Sequence, residues 1–152
     1  MNVLIYIGVT IGVFLFMEGI AWFTHKYVMH GFLWYLHEDH HRPHKSFFEK
    51  NDWFFMIFAV PSMCLFYFGF DYDNIILNGI GSGILLYGIA YFFVHDIFIH
   101  QRFKILQKTK NKYLLGLRRA HKTHHRHKTK EKGECFGMLW IPRALKNKSR
   151  QA

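Results

Sequence analysis

Ten of the chain's twelve histidines fall into four short boxes. His25 and His30 form an HxxxxH pair, and HxxHH follows at His37, His40 and His41. The same order returns as His95 and His100, then His121, His124 and His125. His44 and His127 lie outside, each a short step past an HxxHH box. A neutral imidazole is a ligand for zinc, iron, copper and nickel. On a helix, residues three and four apart share a face, so each HxxHH gathers three rings within an arc of about 100°. The two rings of HxxxxH stand about 140° apart on an ideal helix. They need a bulge or bend to face one ion, or else they reach to two. Ten imidazoles exceed the roughly six that one octahedral first-row ion holds, so two ions are the natural count. Solvated or core histidines, a pH sensor or a proton relay would not require this repeated clustering.

The elements that must carry these boxes are apolar. Hydrophobic residues make up 51% of the 152 residues and aromatics 19%, yet apolar blocks alternate with basic ones instead of mixing. Residues 3–22 are apolar apart from Glu18, Thr10 and three glycines. About 20 helical residues span the roughly 30 Å of a bilayer's hydrocarbon. A signal peptide would need a basic start and a small-residue cleavage site, which this stretch lacks, and its removal would unmoor His25. Residues 53–70 carry no charge and hold Pro61, which predicts a kink. After a polar turn at Asp71, Tyr72, Asp73 and Asn74, residues 75–94 are again uncharged. Gly79, Gly81, Gly83 and Gly88 there allow close helix packing, and no dinucleotide-binding context surrounds them. His95 follows at once. Residues 31–36 read as an interfacial segment with Trp34 and Tyr35, and residues 136–141 as an interfacial or core patch. The pattern predicts an all-α membrane bundle of three to four transmembrane helices, with a His-rich helical cap from 25–50 and 95–142. The whole of 1–152 reads as one domain.

Charge sets the topology. All 20 Lys and Arg lie in Lys26–Lys50 and Arg102–Arg150. The positive-inside rule puts both segments in the cytoplasm, three crossings satisfy it, and every histidine then reaches one face. The net charge of +10 suits anionic headgroups and an acidic electron-donor protein, rather than nucleic acid. Cys64 lies in an apolar block and Cys135 in the basic tail, so no disulfide framework is expected.

Three residues are candidates to support the ligands. Glu18 lies on nearly the same face as His25, either beside the site or bonded to a polar group of a neighbouring helix such as Asn78 or Ser82. Asp96, four residues before His100, can accept a ligand's second ring proton or stand as a solvated charge. His44 is an extra ligand or a loop histidine. No catalytic side chain beyond the metal centre stands out. Zinc would support hydrolysis and iron O₂ chemistry, and spacing alone does not choose. A site at the membrane boundary meets lipid-held substrates, and oxidising their unactivated C–H bonds requires redox iron, O₂ and two electrons. With no flavin, haem or nicotinamide motif, those electrons come from another protein.

The boxes H-K-Y-V-M-H, H-E-D-H-H, H-D-I-F-I-H and H-K-T-H-H resemble those of the fatty acid hydroxylase superfamily of membrane di-iron oxygenases. M-H-G-F-L-W-Y-L-H-E-D-H-H-R-P-H, N-D-W-F, V-H-D-I-F-I-H-Q-R-F and C-F-G-M-L-W, with the small size, are similar to its bacterial non-haem β-carotene 3-hydroxylases, over roughly residues 15–142. The resemblance implies His25, His30, His37, His40, His41, His95, His100, His121, His124 and His125 as ligands of two iron ions, which zinc can replace in a purified sample. It implies hydroxylation at C3 of the β-ionone rings, from β-carotene through β-cryptoxanthin to zeaxanthin, with O₂ and ferredoxin as electron donor. A bacterial inner membrane, with the boxes on its cytoplasmic side, is the implied location. The family is usually drawn with about four membrane helices, and Gly133, Glu134 and Cys135 depart from its small-residue run before Phe136-Gly137. Two other readings are a hydroxylase of fatty acyl or sterol lipids, which length disfavours, and a metal-binding or transporting membrane protein, which wants ionisable groups at mid-membrane beyond Glu18.

Overall fold

A computed structural model describes residues 2–42, 46–105, 107–131 and 133–141. Among these residues the chain is entirely helical and irregular, with no strand. Helix α1 (Asn2–Phe23) runs on as a π-helical segment, Thr24–Phe32. A single turn, α2 (Trp34–His37), and a 3₁₀ turn, Asp39–His41, follow. A second 3₁₀ turn, Lys50–Asp52, opens α3 (Trp53–Asp71), and α4 (Ile75–Tyr91) continues as a π-helical segment, Phe92–Ile99. Helix α5 (Lys112–His124) completes the set.

Three of these helical runs are long and apolar enough to cross a membrane among the described residues: Asn2–Phe32, Lys50–Asp71 and Ile75–Ile99. Their outward side chains, among them Leu15, Phe16, Met63, Tyr67 and Leu86, are exposed apolar groups for which lipid is the natural solvent. The protein is a membrane helical bundle. α4 packs on both α1 and α3. The glycines of α4 permit the approach: a Cβ on Gly83 would sit 2.6 Å from Val13, and one on Gly79 would sit 3.0 Å from Val9. Hydroxyls bond across the same seams, Tyr6 with Ser82 at 2.6 Å and Ser62 to the Gly81 carbonyl at 2.8 Å. Between α3 and α4 the Asn74 side chain caps the new helix, accepting from the Ile76 and Leu77 amides at 3.0 and 3.2 Å.

Pro61 lies inside α3, whose helical run is unbroken around it. Residues 31–36 form no crossing: the chain turns at Leu33 and α2 is four residues long. Residues 136–141 are a core patch, with Met138 and Ile141 buried and Met138 packed with Met17 and Tyr87. On α5, ahead of His121, Leu117 and Ala120 are buried, while Tyr113 is exposed and donates its hydroxyl to the Leu139 carbonyl.

Candidate metal centre

Both HxxxxH boxes lie where the helices loosen into π turns. The His100 amide reaches five residues back to the His95 carbonyl at 2.8 Å, and the Leu33 amide reaches Val28 at 3.0 Å. This is the bulge that five-residue spacing demands. It lets His25 and His30 share a site with ring centroids 5.3 Å apart, and brings His95 and His100 to 4.5 Å.

Two groups of imidazoles result. His25, His30, His37, His41 and His124 offer nitrogens that all lie within 4.8 Å of one another, and so do His40, His95, His100 and His121. Each HxxxxH box feeds a single group, whereas each HxxHH box is divided. His37 and His41 join the first group and His40 the second; His121 joins the second and His124 the first. His125 stands with the second group, its Nε2 2.8 Å from that of His121. The groups adjoin, since His41 stacks on His125 at 4.5 Å and His37 lies 5.3 Å from His40.

The hydrogen bonds behind the rings decide which nitrogen faces inward. The Nδ1 atoms of His25, His30, His41 and His124 lie 3.0, 3.1, 2.8 and 2.8 Å from the carbonyls of Phe136, Lys130, His127 and Glu134. A carbonyl only accepts, so each Nδ1 carries the proton and each Nε2 presents a lone pair. Yet the Nε2 atoms of His30 and His124 stand 3.2 Å apart. No proton is available to join two lone pairs, so the pair is repulsive unless a cation lies against both. In the second group, His40 Nδ1 bonds Glu49 at 2.6 Å and His95 Nδ1 bonds Asp96 at 2.8 Å. Among the described residues His40 Nε2 is buried without a hydrogen-bond partner, and the Nε2 atoms of His100 and His121 lie 2.7 Å apart. Outer acceptors that fix the tautomer while inner nitrogens converge are the wiring of a metal site. The residues present fit metal ions.

Burial keeps the rings neutral, the form that binds metal. Desolvation, with neighbouring imidazoles adding to it, holds His37, His40 and His121 well below the ordinary 6.5. His41 and His100 fall to about 4, His124 to about 3 and His125 to about 2, burial being the largest cause in each.

The supporting residues differ in part from expectation. Asp96 accepts the ring proton of His95, whose Nδ1 lies 2.8 Å from its carboxylate. Among the described residues, Glu18 bonds no histidine. One oxygen accepts from the Met138, Leu139 and Trp140 amides at 3.0, 2.9 and 3.0 Å, and the other from the Tyr87 hydroxyl at 2.8 Å. Neither Asn78 nor Ser82 is its partner: Ser82 pairs with Tyr6. His44 lies outside the described residues. His127 contributes its backbone carbonyl, and Cys135, at φ 59°, separates the two residues whose carbonyls serve His124 and His25.

Glu49, Asn51 and Arg102 were not singled out from the sequence. Asn51 Oδ1 lies 2.6 Å from His37 Nδ1, and Arg102 clamps Asp52 at 2.7 Å and Glu49 at 3.4 Å. Glu49 and Asn51 are polar positions just ahead of the apolar α3, and Arg102 follows the second HxxxxH box. The carbonyl acceptors leave no signal at all.

A cavity of about 100 Å³ lies among α1, α3 and α4. Met17, Ala21, Phe54, Phe58 and Ile84 form its apolar walls, and it ends on His25 of the first group and His95 and His121 of the second. Phe55, which lines it on α3, is 57% exposed, so the cavity reaches the surface on the lipid side.

Comparison with known proteins agrees with this geometry. The fatty acid hydroxylase family model matches residues 10–141. The chain is 41% identical over 141 residues to a β-carotene hydroxylase of Pantoea ananas, covering 93% of this chain and 78% of that one. It is 42% identical over 124 residues to a β-carotene hydroxylase of Pseudescherichia vulneris, covering 82% and 70%. It is 36% identical to the chloroplastic β-carotene 3-hydroxylase 2 of Arabidopsis thaliana over 91% of this chain and 46% of that longer protein. No solved structure matches. A family match across most of the chain, with relatives this similar, makes the chain a member of the fatty acid hydroxylase family, on the branch of the β-carotene hydroxylases.

Proposed function

We propose that the protein hydroxylates C3 of the β-ionone rings of carotenoids, taking β-carotene through β-cryptoxanthin to zeaxanthin, with all of 1–152 working as one domain. The observation that carries this reading is an apolar cavity, reaching the lipid side, that ends between two groups of imidazoles with converging Nε2 lone pairs.

Two iron ions are the cofactor. His25, His30, His37, His41 and His124 hold one; His40, His95, His100, His121 and His125 hold the other. When bound, iron supplies the redox chemistry: O₂, two electrons and two protons are consumed, one oxygen atom enters the C–H bond, and the other leaves as water.

The chain's own residues do the positioning. The carbonyls of Phe136, Lys130, His127 and Glu134, with Glu49, Asn51 and Asp96, fix the rings from behind. Phe54, Phe58 and Met138 keep water from the end ring of the substrate and point its rim at His25, His95 and His121. A carotenoid is about as long as a bilayer is thick, so its end rings lie at the depth where these helices give way to the cap.

The cap lies on the cytoplasmic side of a bacterial inner membrane, where the basic segments place it. Ferredoxin, an acidic donor, docks against the exposed Lys108, Lys112, Arg119, Lys122 and Arg126 around α5.

The test is expression in a host that accumulates β-carotene, with product analysis and metal analysis of the purified protein. Zeaxanthin with about two irons per chain is the expected result. Iron-loaded protein that leaves β-carotene untouched, given O₂ and reduced ferredoxin, overturns the reading.

A further inference from the structure

The wall that α4 gives the cavity comes from Ile84, Tyr87, Gly88, Tyr91 and His95, one continuous helix face. One position on that face has no side chain. The other α4 glycines are spoken for by packing: a Cβ on Gly79, Gly81 or Gly83 would meet Val9 at 3.0 Å, the Ser62 carbonyl at 3.2 Å or Val13 at 2.6 Å. A Cβ on Gly88 would meet nothing within 4 Å. The space it would enter is the cavity. Gly88 is seven residues before His95, so it stands about 10 Å along the axis from the imidazoles. Across the cavity, α3 presents the rings of Phe55 and Phe58.

We infer that Gly88 determines substrate specificity by setting the girth of the cavity, leaving room for the methyl-bearing end ring of a carotenoid that a straight acyl chain would not need. This rests on the carotenoid reading above. In a hydrophobic pocket, methylene-sized differences in fit are worth roughly ten- to two-hundredfold in rate. Gly88 is clear of every imidazole except through the helix itself, so filling the cavity there leaves the metal groups untouched.

The experiment compares the parent chain with Gly88→Ala, Gly88→Phe and Gly19→Phe. Gly19 also has open space around its Cα, but it is exposed on α1 and is not among the residues that line this cavity. Three readouts are taken: conversion of β-carotene with O₂ and ferredoxin, retention of β-carotene by chelator-treated protein, and metal content. Gly88→Phe is expected to lower conversion about tenfold or more and to lower retention with it, at unchanged metal content. Gly88→Ala should fall a few-fold in both, and Gly19→Phe should match the parent. Conversion and retention by Gly88→Phe equal to the parent's overturns the inference. If Gly88→Phe fails to accumulate, Gly88→Ala decides: reduced retention, with the parental metal content before chelation, supports the inference, and parental retention overturns it. A parent chain that binds iron but converts no β-carotene defeats the carotenoid reading instead, a separate result.

Discussion

His30 and His124 show why single residues carry the metal reading. Each has its Nδ1 proton committed to a backbone carbonyl, and their Nε2 atoms face one another at 3.2 Å. In the second group the same task falls to the carboxylates of Glu49 and Asp96. Replacing either acid by its amide, Glu49→Gln or Asp96→Asn, should weaken metal retention or activity by about ten- to a hundredfold, read by metal analysis after dialysis against a chelator. The rings also predict a pH response. Folded His41 and His100 titrate near 4, against 6.5 when unfolded. The unfolded chain therefore takes up protons first as the medium is acidified. Stability is complete above 6.5 and declines as pH falls towards about 4. The thermal midpoint of metal-free protein in detergent should follow that curve; a flat profile would contradict buried neutral rings. Much of this was legible in advance. The i, i+3, i+4 spacing announces clustered imidazoles, and the five-residue spacing announces a bulge. The partners behind the rings were not legible, because a carbonyl on Phe136 or Lys130 is the same group on every residue.

At the scale of elements, the segment 133–141 is held by one half-buried acid. Glu18 takes three successive amides and the Tyr87 hydroxyl, while carbonyls of Glu134 and Phe136 serve His124 and His25. The acid thus tethers a strap that orients two rings of the first group. Glu18→Ala leaves three amides unpartnered, at a cost of about 1–3 kcal/mol. We expect a lower unfolding midpoint and weaker retention of metal, with Glu18→Gln closer to the parent because its carbonyl still accepts. Equal metal retention in Glu18→Ala would show that the strap needs no tether. Sequence pointed Glu18 to a polar group of a neighbouring helix, and that group is the Tyr87 hydroxyl of α4 in place of Asn78 or Ser82; the three amides 120 and more positions later are brought within reach only by the fold. The crossings themselves read directly from uncharged runs. The assignment of each HxxHH box to both groups did not, since it depends on the side from which the other boxes approach.

For the whole molecule, the helices place every described box at one end of the bundle, and the 71–74 turn at the other. The positive-inside argument makes a physical prediction here. In intact cells, a cysteine introduced at Asp73 should react with a membrane-impermeant thiol reagent, and one introduced at Lys110 should not. The reverse pattern would turn the cap outward and remove its access to ferredoxin.

The opposed lone pairs of His30 and His124 imply that an ion is mortar as well as reagent. Strip it away, and like poles push α5 off the rest of the cap while the greasy half stays clenched. Trypsin should then cut after Arg119 and Lys122, inside what had been helix, and spare those bonds once iron or zinc is returned.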